Sequence, residues 1–175
     1  TQFSFFATTA LDNIDNILDY EELSYGEKQD FSEGLEFKNV SFSYGDEKIL
    51  DQVSFRVNQG ESVALVGPSG GGKSTIARLA ARFYDADSGE VLLGKTNIQE
   101  YEKTALMKKI AFVFQGSKLF KISLKENLLL GKSDASDKEI EDALVSSASK
   151  EIVDTLEKGL ETVYGTKGTY FSGGE

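Results

Sequence analysis

Residues 67–75 form a glycine-rich segment that could bind a phosphate chain. They match the pattern G-x-x-x-x-G-K-[ST] at every position, as Gly67, Pro68, Ser69, Gly70, Gly71, Gly72, Lys73, Ser74 and Thr75. Glycines leave room for backbone N–H groups to face phosphate oxygens, because they carry no Cβ atom. Lys73 adds a positive charge that can reach the β- and γ-phosphates, and the Ser74 hydroxyl is a suitable ligand for Mg²⁺. The sequence therefore predicts a nucleotide site at this segment.

The residues on either side of this segment predict a strand before it and a helix after it. Residues 62–66 form a short apolar run that is typical of a buried parallel strand. Apolar residues then recur at the spacing of one helix face, at Ile76, Leu79, Ala80 and Phe83. A helix that begins near Lys73 would direct its free N–H groups and its positive dipole end at a bound anion.

The upstream residues alternate between apolar and polar side chains, which predicts antiparallel strands. Residues 35–37 and 40–42 both alternate, and the phase slips near Asn39 as it does at a β-bulge. A turn at residues 44–47 follows, and residues 53–57 alternate again. This part of the chain therefore predicts an antiparallel β subdomain in front of the phosphate-binding segment.

The downstream residues predict further strands and then a helical block. Residues 91–93 are a strand candidate, and residues 109–114 are a candidate for a buried strand. Capping boxes are predicted at residues 123–126 and 136–139, and residues 152–156 suit another short helix. The fold class predicted from this order is α/β.

Composition excludes several classes of function. The chain has 175 residues, 19 of them basic and 29 acidic, and its net charge is −10. It contains no Cys and no His, which excludes disulfides, Cys/His zinc sites and catalysis by a thiol or an imidazole. The acidic balance argues against nucleic acid as a partner. No apolar run approaches the roughly 18–20 residues that span a bilayer, and no segment has the pattern of a signal peptide.

Three further motifs resemble those of the ATP-binding domains of ABC transporters, and the resemblance covers residues 35–175. Tyr44, at the end of V-S-F-S-Y, resembles the A-loop aromatic, which stacks on adenine in that family. Gln115, at the end of A-F-V-F-Q, resembles the Q-loop glutamine, which binds Mg²⁺ or the attacking water. The sequence F-S-G-G-E at 171–175 resembles the signature motif L-S-G-G-Q, and the residues expected to contact ATP bound by a partner domain are Ser172, Gly173 and Gly174.

This resemblance implies a fold, an activity and a set of partners. The expected fold is a P-loop NTPase core sheet with an N-terminal antiparallel β subdomain and a helical subdomain. The expected function is binding and hydrolysis of ATP, with Mg²⁺, to drive export across a membrane, with Lys73 and Gln115 as catalytic residues. The expected partners are a second ATP-binding domain and the transmembrane domain of the transporter. The expected location is the cytoplasmic face of a membrane.

A narrower resemblance points to the exporter branch of the family. Residues 119–123 (L-F-K-I-S), followed by Asn127, resemble a stretch of exporter ATP-binding domains. The sequence departs from the family pattern at Phe171, at Glu175 and at Thr166-Lys167, where exporters commonly have a Glu-Arg pair. These departures suit one half of a heterodimeric transporter, although they do not establish one, and a homodimer stays open.

The chain is expected to be a piece of a longer protein. It begins with Thr1, and its only Met is Met107. We expect residues 1–30 to be a helix and linker, either packed on the domain or the tail of a preceding membrane domain, and residues 31–175 to be an incomplete ATP-binding domain. The catalytic glutamate of the Walker B motif and the switch histidine are expected beyond residue 175. The fragment is therefore expected to be soluble and to bind ATP without hydrolysing it.

Two other functions remain open from the sequence. The first is a soluble ABC-type ATPase that acts without a membrane partner. The second is an ATP-binding module that does not hydrolyse the nucleotide.

Overall fold

The computed structural model describes residues 22–30, 34–114 and 118–165 of the chain. It divides into two compact units, Thr1–Phe112 and Val113–Glu175. The helix predicted within residues 1–20 lies outside the described residues, so the proposed boundary between residues 30 and 31 remains a prediction.

The first unit contains a four-stranded antiparallel sheet. Strands β1 (Leu35–Tyr44), β2 (Glu47–Val57), β3 (Ser88–Leu93) and β4 (Thr96–Asn97) are arranged in the order β2-β1-β3-β4. The predicted antiparallel β subdomain and the predicted strand at residues 91–93 are thereby confirmed.

A β-bulge interrupts β1 at the predicted position. The register between β1 and β2 shifts between Phe37 and Val40. Asn39, between them, adopts the left-handed conformation with φ of 48°, and its N–H donates to Ser54 Oγ over 2.8 Å. The side chain of Ser54 thus satisfies a backbone group that the bulge removes from the strand pairing.

The sheet packs against a helix that carries the phosphate-binding segment at its start. Helix α1 (Lys73–Ala80) contributes Leu79 to the core, where it joins buried side chains of the strands and of the chain that follows them. The other buried members are Phe37, Val40, Phe42, Leu50, Val91, Ile98, Tyr101 and Leu106. Each large apolar side chain buried in this way stabilises the fold by about 1.5–3 kcal/mol.

The two parallel strands predicted at residues 62–66 and 109–114 do not form. Neither segment belongs to the sheet, and each exposes apolar side chains; Val66 is 91% exposed and Val113 is 88% exposed. A parallel strand of this kind is stable only between neighbours that pair with its backbone and cover both its faces. Within the described residues, the sheet provides these segments with no such neighbour. The strand predictions are therefore wrong for this chain.

The described part of the predicted linker is bonded to the first unit. The N–H groups of Gly26 and Lys28 donate to the carbonyl oxygens of Gln99 and Glu100, each over 3.0 Å, and the Glu102 N–H donates back to Lys28 O over 2.9 Å. The residues of the first unit that form these hydrogen bonds lie in a short 3-10 helix (Ile98–Glu100) and just before helix α2 (Lys103–Met107).

Arg82 is buried beneath the same segment. Its side chain is fully buried, its Nε lies 3.0 Å from Asp85 Oδ1, and one Nη donates to the carbonyl oxygen of Ser24. The guanidinium carbon also lies 4.1 Å from the centre of the Tyr25 ring. Arg82 therefore joins the end of α1 to the segment that enters the domain.

The second unit is helical and has its own small core. It contains α3 (Leu124–Leu129), α4 (Asp137–Ser146), α5 (Lys150–Thr155) and a 3-10 helix (Gly159–Glu161). Both predicted capping boxes are present, one at the start of α3 and one at the start of α4. The buried residues of the unit are Leu124, Ile140, Leu144 and Val153. Among the residues described, no helix combines the length and the apolar character needed to cross a bilayer.

Candidate nucleotide-binding site

The phosphate-binding segment leads directly into α1, as predicted. Gly72 is the residue before the helix, and its φ of 77° lies in the left-handed region. A Cβ atom at this position would lie 2.6 Å from Leu50 Cδ2. Glycine adopts this backbone conformation without strain and leaves Leu50 in place, so Gly72 favours the path by which the loop enters the helix.

Lys73 turns back over the loop. Its Nζ donates to the carbonyl oxygens of Gly67 over 3.0 Å and Pro68 over 2.5 Å. The Lys73 ammonium group is thus held against the backbone of the loop where it is predicted to bind phosphate. Phosphate oxygens offered at this position would compete with the two carbonyls for its protons, since charged acceptors form the stronger hydrogen bonds.

The start of α1 is arranged to favour an anion. The first hydrogen bond within the helix runs from the Ile76 N–H to Gly72 O over 2.9 Å, so the helix itself offers no acceptor to the N–H groups of residues 73–75. All eight residues of α1 are described, and its first turn contains no acidic side chain. Unpaired N–H groups and the positive end of the helix dipole both favour negative charge here.

The two hydroxyl residues that follow Lys73 have different surroundings. Ser74 is exposed at the second position of α1, where its hydroxyl is accessible to a hydrated Mg²⁺ ion. Thr75 is 5% exposed and faces the core. Of the two hydroxyl residues that follow Lys73, Ser74 therefore has the oxygen accessible to Mg²⁺. The described residues contain no group of three acidic side chains that could hold a metal ion.

Tyr44 lies in the same unit as the loop and is joined to α1. It is the last residue of β1, half-buried, and its ring meets the rings of Phe42 and Tyr84 edge to face. Arg78, on α1, donates from Nη1 to the Tyr44 hydroxyl over 3.2 Å. This hydrogen bond raises the pKa of Arg78, and the guanidinium remains charged.

The other predicted site residues lie outside the described residues. These are Gln115 and the signature-motif residues Ser172, Gly173 and Gly174. The joint Mg²⁺ role of Ser74 and Gln115 therefore remains a prediction.

Sequence reasoning missed two arginines that the structure places close to these elements. Arg78 contacts the predicted adenine-stacking residue, and Arg82 is buried at the far end of α1. A signal was available for Arg82, because Asp85 follows it at a spacing of three residues and the preceding pattern is helical. The contact from Arg78 to Tyr44 spans 34 residues and has no local signal.

The glycine-rich loop, the lysine that folds back over it and the helix that follows are the features expected of a P-loop nucleotide-binding domain. The family model described as ABC transporter matches residues 50–175. The chain therefore belongs to the ABC transporter family, as the motifs predicted.

Individual proteins in this family are similar to the chain over most of its length. It is 45% identical to the ATP-dependent lipid A-core flippase of Pasteurella multocida over 144 residues. This matched region makes up 81% of the chain and 25% of the flippase. It is 37% identical to the β-(1→2)-glucan export ATP-binding/permease protein NdvA of Rhizobium johnstonii over 163 residues. This matched region makes up 92% of the chain and 28% of NdvA.

A solved structure confirms the fold class. The structure of a bacterial Atm1-family ABC exporter with ATP bound superposes with a TM-score of 0.82 and 34% sequence identity, over 93% of this chain and 30% of that one. The chain thus spans about a quarter to a third of the length of the relatives that it matches.

Proposed function

We propose that this domain binds MgATP at residues 67–75 and that, in the longer protein, ATP binding and hydrolysis drive export across a membrane. The observation that carries the proposal is the phosphate-binding loop itself. Its last glycine is fixed beneath β2, its lysine is held over the loop backbone, and its helix begins without acidic side chains. The names of the relatives, an ATP-dependent flippase and an export ATP-binding/permease protein, support the export role.

Each site residue has a defined part in this proposal. The ammonium of Lys73 binds the β- and γ-phosphates and stabilises the negative charge that develops on the transferred phosphoryl group. The Ser74 hydroxyl binds Mg²⁺, which supplies charge neutralisation at the phosphates. The ring of Tyr44 stacks on adenine, and Gln115 contacts Mg²⁺ or the attacking water.

The partners belong to the same proposal. Ser172, Gly173 and Gly174 would contact ATP held by a second ATP-binding domain, in a homodimer or a heterodimer. A transmembrane domain on the longer protein would receive the resulting motion at the cytoplasmic face of the membrane.

We further propose that the 175-residue chain alone binds MgATP without turnover. Residues 67–76, which form the loop and the first turn of α1, contain no carboxylate that could polarise an attacking water. General-base catalysis is typically worth about 10²–10⁴-fold in rate, so we expect MgATP binding by this chain with little turnover.

Calorimetric titration of the purified chain with MgATP tests the binding proposal, and phosphate release in the same samples tests turnover. Lys73→Ala should weaken binding roughly tenfold to a hundredfold, since it removes charge-assisted hydrogen bonds. Lys48→Ala is the matched control, because it removes the same charge from an exposed pair with Asp51 that contributes little.

Two results would overturn these proposals. Equal affinities of the Lys73→Ala and Lys48→Ala variants would exclude the loop as the nucleotide site. Phosphate release by the wild-type chain that disappears in Lys73→Ala would show that the chain completes a catalytic site by itself.

A further inference from the structure

The predicted base-binding residue is held by a side chain of the helix that carries the phosphate-binding lysine. Lys73 is the first residue of α1 and Arg78 the sixth. Arg78 reaches the end of β1 and donates to the Tyr44 hydroxyl over 3.2 Å. One helix thus contacts both the predicted phosphate subsite and the predicted adenine subsite.

The Tyr44 ring is also constrained from its sides. Its centroid lies 4.9 Å from that of Phe42 at an interplanar angle of 89°, and 5.3 Å from that of Tyr84 at 82°. The nearly perpendicular rings of Phe42 and Tyr84 limit rotation of the Tyr44 ring, but they do not hold its hydroxyl group. The hydrogen bond from Arg78 fixes the position of the hydroxyl, so that together with the two neighbouring rings it limits how far the Tyr44 ring can tilt.

We propose that Arg78 is a positioning residue for adenine recognition, acting through Tyr44. This inference rests on the proposed function, since it assumes that Tyr44 stacks on the base. Stacking depends on the plane and offset of the two rings, so a tyrosine free to tilt binds a base less well than one held in place. Arg78 thereby contributes to the preference for a purine nucleotide without touching it.

A purely structural role for Arg78 predicts a different outcome. If the arginine only ties β1 to α1, its loss disturbs the loop and weakens every phosphate ligand together. A long-range charge effect on the triphosphate does the same. A positioning role affects only ligands that carry a base, so a ligand pair with and without adenine separates the two.

The experiment titrates the full 175-residue chain with MgATP and, separately, with magnesium tripolyphosphate. Arg78→Met should weaken MgATP binding about threefold to tenfold, the range expected for one hydrogen bond, and change tripolyphosphate binding by less than about twofold. Tyr44→Phe keeps the ring and its packing but removes the hydroxyl, and it should reproduce the same selective loss. In the double variant the effects should not add, because both changes break one interaction.

Two controls accompany these variants. Arg56→Met removes the same charge from an exposed position on β2 and should leave both affinities unchanged. Arg78→Lys keeps a charged donor and should recover part of the MgATP affinity.

The outcomes are distinct for this inference and for the proposed function. Equal losses for MgATP and tripolyphosphate in Arg78→Met, or full additivity with Tyr44→Phe, would overturn the positioning role while leaving nucleotide binding intact. A wild-type chain that binds neither ligand would overturn the proposed function, and the inference with it.

Discussion

Replacement of Arg82 by alanine should destabilise the first unit and release the segment that enters it. The Arg82 side chain is 0% exposed, and Asp85, its ion-pair partner, is 26% exposed. Loss of one member of a buried pair typically costs about 3–5 kcal/mol, because the other member is left without its partner. Partial hydration of Asp85 places the expected cost at the lower end, about 3 kcal/mol.

Thermal unfolding of the full chain measures this cost. For a protein of this size each 1 kcal/mol corresponds to roughly 2–4 °C, so the transition of the unit that contains Arg82 should fall by roughly 6–12 °C. Amide hydrogen exchange locates the effect. The N–H groups of Gly26 and Lys28, which donate to Gln99 and Glu100, should lose protection, while that of Ile76 in α1 keeps it below the transition.

The backbone conformation of Arg82 allows a second variant, Arg82→Gly, to be compared with Arg82→Ala. Its φ of 53° is left-handed, a conformation that costs a residue with a Cβ atom about 1–2 kcal/mol. Arg82→Gly removes the same side chain but accepts this conformation, so it should be more stable than Arg82→Ala. A shift below about 2 °C in Arg82→Ala would contradict the reasoning, since that is less than the loss of a surface pair plus packing would give. So would unchanged protection at Gly26 and Lys28.

Two further predictions concern the loop and the helical unit. Gly72→Ala should destabilise the chain and weaken MgATP binding, because the new Cβ would meet Leu50. Gly60→Ala is the control: it has a similar φ but open space around it, so it should cost only the backbone strain of about 1 kcal/mol. Equal effects of the two substitutions in calorimetry would contradict this prediction. Hydrogen bonds from Lys132 and from the backbone and hydroxyl of Ser136 together lower the pKa of Glu139 from 4.5 to about 2. The stabilising contribution of the Glu139 carboxylate is therefore complete above about pH 4.5 and is lost as the pH falls towards 2. Acid unfolding should be less pH-dependent in that range in Glu139→Gln than in the wild-type chain. Identical profiles would refute a stabilising role for the Glu139 carboxylate.

Features set by local sequence were predicted correctly. The capping boxes at Ser123 and Ser136 need only four consecutive residues, and both formed as expected. The bulge at Asn39 follows from a slip in a period-two pattern, and the start of α1 at Lys73 follows from the loop that precedes it. In each case the residues that determine the structure are close neighbours in the chain.

Features that depend on distant partners were not predictable in this way. The apolar run at residues 62–66 has the composition of a buried strand, yet pairing requires another segment beside it. Arg82 looks like an ordinary basic residue at a helix end, and its burial depends on Ser24, 58 residues away. For the site, the motifs predict roles for the loop residues and for Tyr44 that binding experiments have to test, and the contact from Arg78 that joins α1 to Tyr44 has no signal in the local sequence.

The exposed segment at residues 62–66 has a consequence for how the chain behaves in solution. Short uncharged runs rich in valine and leucine are prone to pair with copies of themselves when their backbone is unpaired. The sheet is better protected, since its edge strand β2 carries Lys48, Asp51 and Arg56, and β4 at the other edge is two residues long. Residues 62–66 are therefore one expected starting point for self-association at high protein concentration; because they directly precede the phosphate loop, aggregation and nucleotide binding would compete for the same part of the molecule.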